Sequence, residues 1–109
     1  MLTSVAEVLI NRPSKHLNRT FSYAIPDNLP SAGVGYRCVV PFARRMEEGV
    51  ILSVHEEDTE KLDYKLLSIH SLVDPFPWFT KEMIDQAMMI SKYYMCTLIE
   101  ALRLFFIDK

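Results

Sequence analysis

The chain has 109 residues, half of them hydrophobic and 24% charged, with a formal charge of −2. That is the length of one domain and the composition of a globular protein, not a disordered one. No apolar run approaches the roughly 18–20 residues that cross a bilayer, Met1 to Ser4 lack the basic and apolar stretches of a signal peptide, and Cys38 and Cys96 lack the paired spacing of a zinc site; a cytoplasmic setting with no membrane partner is expected.

Ser4 to Ile10 is rich in β-branched and aliphatic residues and stops short of Pro13, which predicts a strand. Asn11 to Asn18 is a polar loop. Arg19 to Ile25 is a second strand, whose alternation places Phe21, Tyr23 and Ile25 on one face and Thr20, Ser22 and Ala24 on the other. Asn28 to Gly35 reads as loop and Arg37 to Phe42 as a third strand, where Pro41 implies an edge or a strand end. Gly49 to His55 is a fourth strand, so Phe42 to Gly49 forms a hairpin tip that carries Ala43, Arg44 and Arg45. Glu56 to Asp63 reads as an acidic surface loop, and Lys65 to Val73 as a fifth strand ended by Asp74-Pro75-Phe76-Pro77.

The period then changes. Met83, Ile84, Ala87, Met88, Ile90, Tyr94 and Met95 recur at helical spacing behind Thr80, a good N-cap, and Leu98 to Phe106 is a second helical piece. Strands followed by helices predict a mainly β fold with C-terminal helices (α+β): a small five- to six-stranded barrel or sandwich over 1–75, then one or two helices over 76–109. The stretch from Ala101 to Lys109 is very apolar for a chain end, which suggests a domain cut from something longer or, alternatively, an oligomer contact.

Charge is unevenly spread. Residues 1–45 hold six basic and two acidic residues, and the remainder six basic and twelve acidic, so an anionic partner is expected to meet the first half. Catalytic signatures are missing. There is no phosphate-binding glycine loop, His16, His55 and His70 stand apart in sequence, and Cys38 lies in an apolar strand where a buried structural thiol is the expectation.

Four blocks carry a family resemblance. Val5-Ala6-Glu7-Val8-Leu9 with Leu17-Asn18-Arg19-Thr20-Phe21-Ser22-Tyr23-Ala24-Ile25-Pro26 is similar to a strand followed by L-x-R-x-F-x-Y-x-x-P; Gly35 to Arg45, followed by Gly49-Val50-Ile51-Leu52, is similar to G-x-R-V-x-V-P-F-G-(R/K); Leu72-Val73-Asp74 with Pro75 and Pro77 is similar to V-L-D-x-x-P; and Tyr93 to Leu102 is similar to Y-Y-x-x-P-x-G-E-x-L. In this order the blocks resemble the N-terminal 3′-end DNA-binding domain of the primosomal protein N′ (PriA) family of replication-restart helicases. The resemblance implies a DNA-binding subdomain over 1–75 that recognises the 3′ end of the nascent leading strand at stalled forks. The helical segment over 76–109 would lead toward helicase domains of the same chain. It also implies no catalytic residue, metal or cofactor in this fragment; ATP, magnesium and zinc would belong to the rest of such a helicase. DNA is the implied partner, with single-strand-binding protein and primosome proteins as further candidates. The implied nucleic-acid-binding residues are Phe21, Ser22 and Tyr23, Ala43 of the loop with Arg44 and Arg45, Arg19, and Lys65 as the lysine near the fifth strand. Ser22 stands where many members have an acidic residue, and Ala43 where glycine is common.

Read from the residues alone, several of these positions have a second use. Phe21 suits the core as well as a pocket wall, Tyr23 suits a polar rim, and arginines at a hairpin tip suit solvent. Tyr93 and Tyr94 suit packing of the helix on the barrel, and Trp78 suits an anchor between the two. The competing function is a small β-rich protein–protein interaction module without DNA binding; a small enzyme is disfavoured by the missing chemistry.

Overall fold

The structure, a computed structural model, describes residues 2–58, 60 and 66–106. Five strands form one sheet: β1 (Leu2–Ile10), β2 (Thr20–Ala24), β3 (Arg37–Phe42), β4 (Arg45–Asp58) and β5 (Ser71–Leu72). Two helices follow, α1 (Lys81–Tyr94) and α2 (Leu98–Arg103), the second continued by a 3-10 turn over Leu104–Phe106. The sheet order is β2-β1-β4-β3-β5, with every pair antiparallel.

The mainly β fold with C-terminal helices is therefore as expected, but strand bounds move, most of all in the fourth and fifth strands. β4 begins at Arg45 and runs to Asp58, so Glu56 to Asp58 continue the ladder against Leu2 to Ser4 and are not a loop. The predicted fifth strand reduces to Ser71–Leu72, preceded by an irregular stretch. That stretch is structurally important. Ala24 donates to the Leu67 carbonyl and accepts from Ile69 N–H, and His70 N–H donates to the Val39 carbonyl. Residues 67–70 thus join the β2 edge to the β3 side, and the sheet curls into a barrel-like cup without a continuous closing ladder. A bulge in β4 opposite Glu7 and Val8 adds local bend.

Strand alternation creates two cores. Ala6, Val8 and Ile10 of β1 point inward with Tyr23, Cys38, Val40, Ile51 and Ile69. Residues of the opposite β1 face serve elsewhere: Leu9 joins Val50 under Phe79, Ile84, Ala87, Ile99 and Leu102, so the helices pack on the outside of the cup. Gly35 fixes the junction. Its φ of 88° is one that only glycine adopts freely, and a Cβ there would sit 1.8 Å from the Phe79 carbonyl oxygen. Backbone N–H groups of Trp78 and Phe79 both donate to the Gly35 carbonyl, and Arg37 lies over the Trp78 ring at 4.5 Å. Trp78 is thus at the sheet–helix junction as expected. Tyr93 and Tyr94 are not: they are 82% and 71% exposed, because the face of α1 used for packing is that of Ile84 and Ala87.

Candidate nucleic-acid interface

β2 places the central site residues along a partly open sheet edge. Ile25 N–H donates to the Ser4 carbonyl of β1, while Ala24 turns its N–H and C=O toward Leu67 and Ile69. Successive strand residues address opposite edges, so Thr20 and Ser22 turn their backbone groups the same way as Ala24. There the structure has a groove of about 350 Å³ lined by Arg19, Thr20, Phe21, Ser22, Tyr23, Leu66 and Leu67. This lies at the small end of the roughly 300–1,000 Å³ typical of ligand sites, enough room for one nucleotide.

The rings in the groove have different roles. Phe21 is half-buried, packs edge-to-face on Phe42 with centroids 4.9 Å apart, and carries the Arg19 guanidinium 4.7 Å above its ring. Arg19 and Phe21 form a layered platform, and a guanidinium plane, like a ring, can stack on a base. Tyr23 is only 4% exposed, and its hydroxyl donates to the Pro41 carbonyl at 2.8 Å. It forms part of the cup's interior and ties β2 to β3, where the sequence suggested a rim position for its hydroxyl. Burial, followed by the neighbouring Cys38, pushes its pKa up.

Ser22 faces the opposite way and meets a residue that sequence reasoning did not assign to the site. The register sets Glu7 directly across from Ser22. The Ser22 hydroxyl donates to Glu7 Oε2 at 2.7 Å, and the Thr20 hydroxyl donates to Oε1 at 3.0 Å. On the far side, His55 Nε2 stands 3.9 Å from Glu7 Oε2 and 3.2 Å from Glu57 Oε2. Glu7 was visible as the one carboxylate in an aliphatic strand, but its pairing with Ser22 depends on a register that the long loop between the strands does not encode. Leu66 and Leu67 were missed because the chain there was expected to be regular strand.

The hairpin tip adjoins the groove through Phe42, whose ring touches Phe21. The turn is tighter than expected: Phe42 pairs with Arg45, leaving only Ala43 and Arg44 in the loop. Both have positive φ, 52° and 67°, the left-handed pair that suits a two-residue hairpin. Ala43, Arg44 and Arg45 are exposed and do not line the groove. Arg45 Nε is 3.7 Å from Glu47, a loose pair, whereas Arg12 and Arg37 are held by Glu47 and Asp74, each at 2.8 Å. Lys65 lies outside the described residues. Among the described residues no group of His, Cys, Asp or Glu could hold a metal ion, and no helix is long and apolar enough to cross a membrane.

A curled five-stranded sheet with a helical cap, a groove of nucleotide size at its edge and exposed arginines beside it has the make-up of a small nucleic-acid-binding module. Comparison with known proteins agrees. A family model described as the 3′ DNA-binding domain (3′BD) of PriA matches residues 7–106. The replication restart protein PriA of Bacillus subtilis (strain 168) is 31% identical over 80 residues, which cover 72% of this chain and 10% of that protein. The chain belongs to the PriA 3′ DNA-binding domain family.

Proposed function

We propose that this chain binds the 3′-terminal nucleotide of a DNA strand in the groove along β2, as the end-reading domain of a replication-restart helicase acting at stalled forks. One observation carries the reading: a groove with room for one nucleotide is lined by Arg19, layered on Phe21, and by Thr20 and Ser22. Stacking holds a base without regard to sequence, at about 1–3 kcal/mol per base. Arg44 and Arg45 follow Phe42 at the hairpin tip, where they can meet phosphates next to the held end.

The chain matches only a tenth of the length of its Bacillus relative. ATP-driven unwinding, with its magnesium and zinc, is accordingly assigned to other parts of the longer protein we infer, as is a cytoplasmic setting. Lys65 remains a proposed contact. Single-strand-binding protein and primosome proteins are further proposed partners of that longer protein.

Fluorescence anisotropy tests the reading with three single strands: a free 3′-hydroxyl, a 3′-phosphate, and a circle with no end. The first should bind best. Equal binding to all three would remove the pocket from the mechanism. Absence of DNA binding at modest salt would favour the protein-interaction reading, which has its own support in the exposed Met89, Tyr93, Tyr94 and Met95 of the helical segment.

A further inference from the structure

We infer that the cleft between the turn at Lys15–Leu17 and the junction of α1 with α2 binds DNA phosphates, as a second contact beside the groove along β2. The inference takes its class of ligand from the DNA-binding reading above and adds to it a site. The cleft has a volume of about 640 Å³, and Lys15, Asn18, Ser91, Lys92, Thr97 and Glu100 are among the residues that line it. It adjoins the first groove through the chain itself. Asn18 lines the cleft, and the next residue, Arg19, lines the groove and lies over Phe21.

Hydrogen bonds hold the walls together. Asn18 Oδ1 accepts from Leu98 N–H at 2.8 Å, which ties the turn to the start of α2 across 80 residues of sequence. That bond settles which way the amide faces, since only its oxygen can take an N–H. Its two amide hydrogens have no protein partner among the described residues. On the other wall the Ser91 hydroxyl donates to the Cys96 carbonyl at 2.6 Å, where the chain leaves α1 through Met95 at a left-handed φ of 57°.

The charges in the cleft are uneven. Lys15 and Lys92 are exposed, and neither is in an ion pair among the described residues. The residues three and four positions before Lys92 are Met89 and Met88, so α1 offers it no ion-pair partner. Arg12 and Arg37, by contrast, are each held by a carboxylate at 2.8 Å. Glu100 is the one carboxylate lining the cleft, and it is engaged: its Oε1 accepts from Thr97 N–H at 2.8 Å and from the Thr97 hydroxyl at 2.9 Å. Two free ammonium groups beside an amide with hydrogens to give make a site for an anion. Ammonium groups on flexible stems follow phosphates without reading bases, so the cleft adds affinity and no sequence preference. Two backbones can supply the phosphates, that of the held strand and that of a strand paired with it.

Anisotropy titrations between about 50 and 200 mM salt test this with three ligands: a linear single strand with a 3′-hydroxyl, a circle of the same length, and a duplex with a recessed 3′ end. The proteins are the wild type, Lys15→Ala/Lys92→Ala, Asn18→Asp and Lys81→Ala. A lost phosphate contact takes about 0.7 from the slope of log affinity against log salt on a single strand and about 0.9 on a duplex. The double lysine variant should therefore flatten the slope by about 1.4 on the linear strand if the held strand supplies the phosphates. It should do so by about 1.8 on the recessed duplex alone if the paired strand does. Asn18→Asp keeps the acceptor for Leu98 N–H but brings a negative charge to the cleft. It should weaken the same ligand severalfold with a melting temperature no lower than that of the wild type. Lys81→Ala removes a charge from the other end of α1, where Lys81 is paired with Asp85 at 3.4 Å, and should leave the slope as it is. A double lysine variant with the wild-type slope on both ligands would overturn the cleft. So would an equal loss per charge in Lys81→Ala, or an Asn18→Asp variant that binds like the wild type. Equal binding of circle and linear strand by the wild type would sink the end-binding reading, while a flattened slope on that circle in the double lysine variant would still uphold the cleft.

Discussion

Ala43 carries a φ of 52°, a region where a Cβ crowds the following carbonyl and costs roughly 1–2 kcal/mol. Glycine at this position would relieve that strain and lose part of the gain, about 0.5–1 kcal/mol, to greater freedom of the unfolded chain. Ala43→Gly should therefore stabilise by a few tenths to about 1 kcal/mol, seen as a higher urea midpoint with an unchanged slope. Cys38 gives a second residue-scale outcome. It is fully buried beside Tyr23, and burial, with a smaller push from Glu48, raises its pKa from 9.0 to about 12. Above pH 9 the unfolded thiol ionises while the folded one cannot, so the unfolded state holds fewer protons and is favoured. Stability should be intact below pH 9 and fall between pH 9 and about 12, by at most about 1.4 kcal/mol per pH unit from this group. Tyr23 adds to the fall in the same direction, because its folded pKa is also raised. Urea titrations across this range should show a shallower decline for Cys38→Ala. An identical decline would mean that the thiol is reached by solvent.

At the scale of elements, both helices begin on threonine caps, of which the sequence reading named only Thr80. The Thr80 hydroxyl accepts from Met83 N–H at 3.1 Å and opens α1. Thr97 opens α2 in a reciprocal box: Glu100 N–H donates to the Thr97 hydroxyl, and Thr97 N–H donates to Glu100 Oε1 at 2.8 Å. Thr97→Ala should cost about 1 kcal/mol in equilibrium unfolding. The Thr97 N–H, and after it the Thr97 hydroxyl, hold the Glu100 carboxyl below its ordinary pKa. That contribution is present above the ordinary carboxylate range and is lost as pH falls through it, so the variant should also show a weaker dependence on acid. The helices were legible because a cap followed by a 3.6-residue period is a local signal. The first four strands were legible from equally local signals, β-branched and aliphatic runs bounded by proline, glycine or polar loops and, in the second, alternation. The fifth was not, because residues 67–70 are held by hydrogen bonds to Ala24 and Val39, partners about 30–45 residues distant in sequence. A run that looks like one strand is in fact a tie between two edges.

At the scale of the whole molecule, the charge asymmetry of the sequence is real but misleading as a map of binding residues. Of the six cations in residues 1–45, Arg12 and Arg37 are neutralised by Glu47 and Asp74 from the acidic half. Sequence reasoning singled out Arg19, Arg44 and Arg45, and these are exposed, with Arg45 only loosely paired. It could not see Glu7 because a cross-strand carboxylate is a property of register, set by how the whole sheet curls. These charges lead to a distinction between two pairs of arginines. Each phosphate contact on a single strand contributes about 0.7 to the slope of log affinity against log salt concentration, through the counterion it releases. Arg44→Ala with Arg45→Ala should therefore weaken binding of single strands with a free 3′-hydroxyl and flatten that slope by about 1.4. Arg12→Ala should leave the slope as it is, because its guanidinium is already committed to Glu47 at 2.8 Å. Anisotropy titrations between 50 and 200 mM salt, roughly the range over which such effects are large, separate the two. If the tip variant kept the wild-type slope, or the Arg12 variant shared its loss, phosphates would have to run over a different face of the cup.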